Sequence, residues 1–231
     1  MDKRFATILA VIVLIFVGVF VLNKNSSTGN SGNSSGAQPT NHVEGNNTKN
    51  VTLVEYGDYE CPICYEYYQP LKQTVAQFSD QIHFQFRNLP LSSVHKNAFA
   101  GARAAEAAGL QGKYWQMHDT LYQNQDPSGA TGWVASDNPL DGYFSGYAHT
   151  LGLDVTKFNS DYSSQKVNDS INADLNAFAK TGQPQATPTF FLDGQYLDNG
   201  KVVDSSTGQP SVDKFASIIK AEIAKKNPGS N

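Results

Sequence analysis

Cys61 and Cys64 are the only cysteines in the 231-residue sequence, and Pro62 and Ile63 separate them. Two thiols at this spacing could form a structural bridge, supply half of a zinc site or act as a redox pair. A bridge that closes so short a loop constrains the unfolded chain little. A structural zinc site takes about four ligands, and the sequence has neither a second C-x-x-C nor histidines in an H-x(3 to 5)-H spacing. We therefore expect no metal, and favour a redox pair.

The residues around the pair predict a strand before it and a helix after it. Residues 51–56, VTLVEY, are rich in β-formers, and residues 62–78 place apolar side chains at helical spacing, with a kink expected at Pro70. A cysteine at the start of a helix lies against unpaired backbone N–H groups, which stabilise its thiolate. We therefore expect Cys61 to be the exposed attacking thiolate and Cys64 to be the buried thiol that resolves the mixed disulfide.

The rest of the folded region predicts a second strand, a helical block and a β-containing end. Residues 82–86 alternate apolar and polar side chains, which completes a strand–helix–strand unit with a right-handed crossover. Helical patterning follows over about ninety residues. Strands are then predicted at residues 189–192 and 201–204, and an amphipathic helix at residues 212–226 closes the fold.

The N-terminal apolar run predicts a membrane anchor. Residues 5–22 contain one polar residue, and at about 1.5 Å per residue they approach the roughly 30 Å hydrocarbon core of a bilayer. Lys3 and Arg4 favour a cytoplasmic location for residues 1–4. We expect an uncleaved signal anchor with the rest of the chain outside the cytoplasm; a removed signal peptide is the alternative.

Residues 23–50 predict a linker between this anchor and the folded region. They are almost all Asn, Ser, Gly and Thr, with Val43 as the only large aliphatic residue. Such a segment buries too little apolar surface to offset the entropy lost on ordering. We expect a flexible tether in which His42 is solvated.

Three features together resemble the DsbA-like thiol:disulfide oxidoreductases of the thioredoxin superfamily, in particular their membrane-anchored, BdbD-type branch. These features are the CPIC motif after the VTLVEYGDYE segment, the helical block between two β-containing halves, and the ATPTFF segment at residues 186–191. The resemblance implies an α/β thioredoxin fold, with βαβ and ββα halves around a central mixed sheet. It divides the folded chain into a first half at residues 51–96, a helical insertion at 97–183 and a second half at 184–231.

The resemblance also implies residues that contact a substrate. Pro188 would follow a cis peptide bond and lie against the cysteines, although most X-Pro bonds are trans. Thr187 would then offer its backbone to an extended substrate chain. Pro62 and Ile63, between the two cysteines, would contact the same substrate.

Glu55 is the remaining site residue that the resemblance implies. It lies six residues before Cys61, in the predicted strand, and a buried carboxylate there could exchange a proton with Cys64. A surface carboxylate at the strand edge is the alternative. Ile63 departs from the strongly oxidising members of the family, which carry His at this position, so the strength of the oxidant is open.

The resemblance implies an enzyme that introduces disulfides into reduced, exported proteins through a mixed disulfide at Cys61. The Cys61–Cys64 disulfide would be its only redox group, and a membrane quinone-linked reoxidase of the DsbB or VKOR type would restore it. An extracytoplasmic reductase or isomerase, and a tethered thioredoxin-like chaperone for Cu(I), are the alternatives. A net charge of −4 without a long basic run argues against nucleic acid as a partner.

Overall fold

A mixed β-sheet forms the centre of the computed structural model, which describes residues 37–228. Within that range the sheet has five strands in the order β1-β3-β2-β4-β5. Parallel pairing joins β2 to β3, whereas β1 pairs antiparallel with β3, and β4 pairs antiparallel with both β2 and β5. The strands are β1 His42–Glu44, β2 Val51–Gly57, β3 Ile82–Asn88, β4 Thr189–Leu192 and β5 Gln195–Leu197.

The first helix, α1 (Pro62–Gln77), connects the parallel strands β2 and β3 and begins directly after Cys61. The predicted strand–helix–strand unit is therefore confirmed. α1 continues through Pro70, where the Thr74 hydroxyl donates a hydrogen bond to the Pro70 carbonyl at 2.8 Å. Leu71 and Val75 of this helix pack into the same hydrophobic cluster as the inward-facing residues of the sheet.

The predicted helical block lies between β3 and β4. Its helices α2 and α3 pack against each other, and buried Met117 and Leu121 of α3 belong to the same cluster as the sheet residues Leu53 and Phe84. The helical block and the sheet therefore share one core. The helices are α2 Ala98–Gly109, α3 Tyr114–Gln123, α4 Gly132–Ala135, α5 Ser145–Thr150, α6 Val155–Tyr162 and α7 Gln165–Ala179, with a π-helical turn at Leu140–Phe144 before α5.

The strand predicted at residues 201–204 is wrong. Asp193 and Gly194 have φ values of 49° and 78°, which suit a two-residue hairpin turn, so β5 follows β4 at once, at Gln195–Leu197. Residues 199–201 form a 3₁₀ turn, and Val203 makes only an isolated bridge with Pro210. The predicted closing helix is present as α8 (Val212–Lys226).

The linker predicted at residues 23–50 is wrong for its last part. Residues 23–36 lie outside the described residues, but β1 pairs with β3, and the Thr40 backbone N–H and hydroxyl donate to the buried Asp174 carboxylate at 2.8 and 2.7 Å. His42 is not solvated: its ring stacks on Tyr114, with centroids 3.4 Å apart, and contacts Glu106 at 3.0 Å. This segment is ordered by hydrogen bonds to distant polar groups, so its lack of apolar residues was misleading.

The anchor predicted at residues 5–22 falls outside the described residues, as do residues 1–4. From residue 37 to residue 228, no helix has both the length and the apolar character needed to cross a membrane.

Candidate active site

Cys61 is the N-cap residue of α1, and Pro62 occupies the first turn. The Cys61 backbone N–H donates to the Asp58 carbonyl at 3.1 Å, which holds the chain in a turn before the helix. Among residues 37–228, no side chain caps this helix end. The first N–H groups of the helix are therefore available to an anion on the Cys61 sulfur.

The two thiols differ in their access to solvent. Cys61 exposes 5% of its surface and Cys64 none, and both are free thiols. Cys61 is thus the more accessible sulfur, but it is buried and not exposed as the sequence predicted. Cys61 is buried because Thr187 lies against its sulfur. The Cys61 thiol donates a hydrogen bond to the Thr187 carbonyl at 3.5 Å.

The surroundings shift the two thiol pKa values in opposite directions. The hydrogen bond from Cys64 is the largest cause that lowers the pKa of Cys61, to about 6, and it outweighs the opposing effect of burial. The Cys64 backbone N–H contributes to this lowering, as does the Thr187 hydroxyl, which lies close enough to donate to a Cys61 thiolate. Burial raises the pKa of Cys64 well above its usual value, and the neighbouring Cys61 and Glu55 add to that effect. At neutral pH Cys61 is therefore the thiol that can act as a nucleophile, whereas Cys64 stays protonated.

Glu55 lies in the middle of β2, between Phe86 of β3 and Phe190 of β4. Only 4% of its surface is exposed, so it is a buried carboxylate and not a strand-edge one. Burial, the largest cause, and negative charge on Cys61 together raise the pKa of Glu55 to about 8. A carboxyl group with this pKa can both give and take a proton near neutral pH.

The Thr187–Pro188 peptide bond is cis. The Pro188 carbonyl accepts a hydrogen bond from the Asn199 side-chain amide at 2.9 Å, which ties this loop to the turn after β5. The Thr187 hydroxyl is buried and has no hydrogen-bond partner within residues 37–228. The loop therefore places both the carbonyl and the hydroxyl of Thr187 near Cys61.

A protein-family model described as Thioredoxin matches residues 37–220. The chain belongs to the thioredoxin family. The match begins at the start of the segment that carries β1, which agrees with the finding that this segment is part of the fold.

Curated relatives of this thioredoxin-family chain are much longer proteins. It is 36% identical over 154 residues to the Na(+)/H(+) antiporter NhaA 1 of Salinispora arenicola, a match of 67% of this chain and 22% of the relative. The Na(+)/H(+) antiporter NhaA of Herminiimonas arsenicoxydans is 34% identical over 156 residues, which is 68% of this chain and 23% of the relative. The chain therefore spans less than a quarter of the length of these relatives.

Solved structures share its fold. A thioredoxin-like oxidoreductase from Silicibacter pomeroyi has a TM-score of 0.61 at 24% identity, over 82% of this chain and 95% of that one. Oxidised BdbD from Bacillus subtilis has a TM-score of 0.62 at 21% identity, over 82% and 96%. Wolbachia pipientis α-DsbA1 has a TM-score of 0.62 at 18% identity, over 82% and 94%. The predicted resemblance to DsbA-like proteins is confirmed at the level of the fold.

The substrate-contact residues predicted between the cysteines lie at the surface of this thioredoxin-family site. Ile63 exposes 47% of its surface and belongs to none of the hydrophobic clusters. Pro62 lines an open cleft together with Val94 and His95. An exposed apolar side chain beside the reactive sulfur can contact an unfolded chain.

Asp58 and His95 form a pair beside the site that the sequence did not indicate. The buried Asp58 carboxylate contacts the His95 ring at 2.8 Å and accepts the Leu91 backbone N–H at 2.9 Å. This hydrogen bond to Asp58 is the main cause that raises the pKa of His95. Because the Asp58 carbonyl also accepts the Cys61 N–H, the pair fixes the turn before α1. The two residues are separated by 37 positions, and no motif connects them.

Gln125 follows α3 in a polar segment of the chain, but its side chain is buried. Its side-chain amide donates to the carbonyls of Tyr59 and Cys61 at 2.6 and 3.1 Å. The loop after α3 therefore supports the redox centre from the side of the helical block. No group of three or more His, Cys, Asp or Glu residues between positions 37 and 228 could hold a metal ion.

Proposed function

We propose that this chain is a membrane-tethered, extracytoplasmic thiol:disulfide oxidoreductase that donates its Cys61–Cys64 disulfide to reduced, exported proteins. The observation that carries the proposal is the placement of the two sulfurs. Cys61 occupies the N-cap of α1, next to the Thr187 carbonyl, while Cys64 lies fully buried one turn later. This arrangement gives one nucleophile and one resolving thiol.

In the oxidising direction, a substrate thiolate attacks the Cys61 sulfur and breaks the Cys61–Cys64 bond. Cys64 leaves as a thiolate and takes a proton from the Glu55 carboxyl group. A second substrate thiolate then attacks the substrate sulfur of the mixed disulfide, and Cys61 leaves as a thiolate. The substrate loses two electrons and gains a disulfide, and the enzyme is left as a dithiol. A quinone-linked membrane oxidase would return it to the disulfide.

The lowered pKa of Cys61 supports an oxidase over a reductase. A stabilised thiolate favours the dithiol form, and a favoured dithiol makes the disulfide a stronger oxidant. The backbone of Thr187, the exposed Ile63 and neighbouring Pro62 would hold the substrate chain beside Cys61. The apolar run at residues 5–22 supports tethering to the membrane.

Oxidative refolding of a reduced, multi-cysteine substrate by the full-length chain in a mild detergent tests the proposal. The wild-type chain should accelerate the gain of substrate activity, and Cys61→Ser should abolish that gain. Cys64→Ser should accumulate a mixed disulfide on Cys61 that a non-reducing gel resolves. A reductase or isomerase would instead act only with a thiol donor, and stoichiometric Cu(I) binding without thiol exchange would overturn the enzyme hypothesis.

A further inference from the structure

A small cavity lies on the sheet side of the redox centre, and the buried side chains of Glu55 and His118 both line it. It leaves about 20 Å³ for the centre of a water molecule, and roughly 10–15 Å³ is enough for one water. The cavity therefore has room for a single bridging water. Its outer lining includes Lys72 and Asp119, which are partly exposed.

His118 lacks the hydrogen bonds that a buried histidine usually makes. It lies on α3 with 5% of its surface exposed, and neither ring nitrogen has a hydrogen-bond partner within residues 37–228. Its Nδ1 is 3.5 Å from the Asp119 carboxylate, which is too long for a good hydrogen bond. Leaving a buried polar group unpaired is unfavourable, so the unpaired nitrogens of a ring that lines this cavity call for a partner.

The surroundings of His118 favour the neutral ring. Rings of Phe86, Trp115 and Tyr122 lie at centroid distances of 4.9, 5.1 and 5.1 Å. Burial among them is the largest cause that lowers the pKa of His118. A neutral imidazole has one donor nitrogen and one acceptor nitrogen, so it can take a proton on one side and release one on the other.

The outer end of the cavity is a surface ion pair. Lys72 Nζ donates to Asp119 at 2.5 Å, and the Tyr68 hydroxyl donates to the other Asp119 oxygen at 2.8 Å. The Asp119 side chain is 32% exposed, so bulk water reaches it. The titratable groups that line the cavity or act on the His118 ring are His42, Glu44, Glu55, Tyr59, Tyr68, Lys72, Tyr114, Asp119 and Tyr122. Cys61 and Cys64 interact with Glu55 through their charge.

We propose that His118 and one water in this cavity relay protons between Glu55 and the solvent at Asp119. The proposal rests on the proposed proton exchange between Glu55 and Cys64. After Glu55 has protonated Cys64, its carboxylate takes a proton from the cavity water, which takes one from the donor nitrogen of His118. The other ring nitrogen takes a proton from solvent beside Asp119. When Cys64 is deprotonated during reoxidation, each transfer runs in reverse. His118 is thus a positioning residue that acts through Glu55.

The test follows ring closure in the reduced full-length chain by stopped flow. A small aromatic disulfide oxidises Cys61, and Cys64 then attacks the mixed disulfide while Glu55 takes its proton. In His118→Ala the closure rate should fall at least about tenfold at neutral pH, and the first step at Cys61 should keep its rate. Added imidazole should restore closure in proportion to its concentration, whereas pyrazole, a much weaker base of the same size, should not. His149→Ala, at an exposed helix position, is the matched control.

Each contrary outcome has a distinct meaning. Unchanged closure in His118→Ala, or equal rescue by imidazole and pyrazole, would show that the ring only fills space and would overturn the relay. His118→Gln, which keeps a polar side chain of similar length, replaces the alanine variant if that variant does not fold, and it should also slow closure. If Glu55→Gln closes as fast as wild type, the proposed proton exchange at Glu55 fails before the relay is reached.

Discussion

Cys64 sets the reactivity of its neighbour through a hydrogen bond to the Cys61 sulfur. That hydrogen bond is the largest cause of the low pKa of Cys61. Cys64→Ala removes the donor and should raise the pKa of Cys61 from about 6 towards its ordinary value of 9.0, as measured by the pH dependence of its alkylation. Cys64→Ser retains a donor and should stay closer to 6. An alanine variant that still titrates near 6 would assign the shift to the helix N-terminus instead.

Ile63 is the position at which the redox potential can be tuned without disturbing the core. Its side chain is 47% exposed, so Ile63→His should fold normally and place a partly charged ring beside the Cys61 thiolate. Each unit by which the pKa of Cys61 falls should raise the reduction potential by about 30 mV, measured by equilibration with glutathione. Ile63→Ser serves as the uncharged control. A potential equal in both variants would contradict an electrostatic effect at this position.

At the scale of elements, Asp174 holds β1 and its preceding segment on the fold. Its carboxylate accepts from Thr40 and from the Asn88 backbone N–H at 2.9 Å. Asp174→Ala leaves these buried donors unpaired and should lower the free energy of unfolding by about 2–4 kcal/mol, measured by urea denaturation. Asn172→Ala, at an exposed position of the same helix, should change it by less than about 0.5 kcal/mol. A small effect at Asp174 would mean that the segment is held mainly by its pairing with β3.

Local patterns were sufficient to predict the elements that carry the redox pair. A run of β-forming residues identified β2, apolar alternation identified β3 and helical spacing identified α1, so the position of Cys61 at a helix start could be read from nearby residues. β1 could not be predicted in this way. Its segment is polar, and its partner Asp174 is 134 residues from Thr40, so only the folded chain brings them together.

The same limit applies to the site. Glu55, Thr187 and Pro188 were reached through a resemblance that depends on short motifs. No sequence motif marks His118, and its significance comes from a cavity that residues of five separate elements line. His95 is likewise connected to Cys61 only through Asp58. Residues that act through a distant partner are therefore the ones that the sequence leaves undetected.

At the scale of the whole molecule, the shifted thiols predict how the redox potential depends on pH. Below about pH 6, reduction of the disulfide takes up two protons, and the potential should fall by about 60 mV per pH unit. Above the Cys61 pKa of about 6, only Cys64 takes up a proton, and the slope should approach about 30 mV. When reduction leaves Cys61 as a thiolate, its charge raises the pKa of Glu55, so Glu55 takes up part of a proton and the slope changes more gradually with pH. Glu55→Gln should therefore make the change in slope sharper. A single slope from pH 5 to pH 8 would contradict the low pKa of Cys61.

Burial of Glu55 also predicts a dependence of stability on pH. Because its pKa is raised from 4.5 to about 8, the folded chain binds a proton there that the unfolded chain has already lost. The contribution of Glu55 to the free energy of unfolding is fully present below pH 4.5. It is lost as the pH rises to about 8, at up to about 1.4 kcal/mol per pH unit. The gain in unfolding free energy from Glu55→Gln should therefore grow over this range. Denaturation of both chains at matched pH measures this difference, and a difference that stays constant would contradict the raised pKa.

The aromatic rings around His118 also give the molecule a built-in optical reporter. The chain has two tryptophans, and one of them, Trp115, lies 5.1 Å from the His118 ring. The other, Trp133, is fully buried against Phe144 in the helical block. Because a protonated imidazole quenches a nearby indole, the emission of Trp115 should follow the charge on His118 while Trp133 supplies a steady background. The intrinsic fluorescence of the unlabelled protein thus reports whether the His118 ring carries a charge.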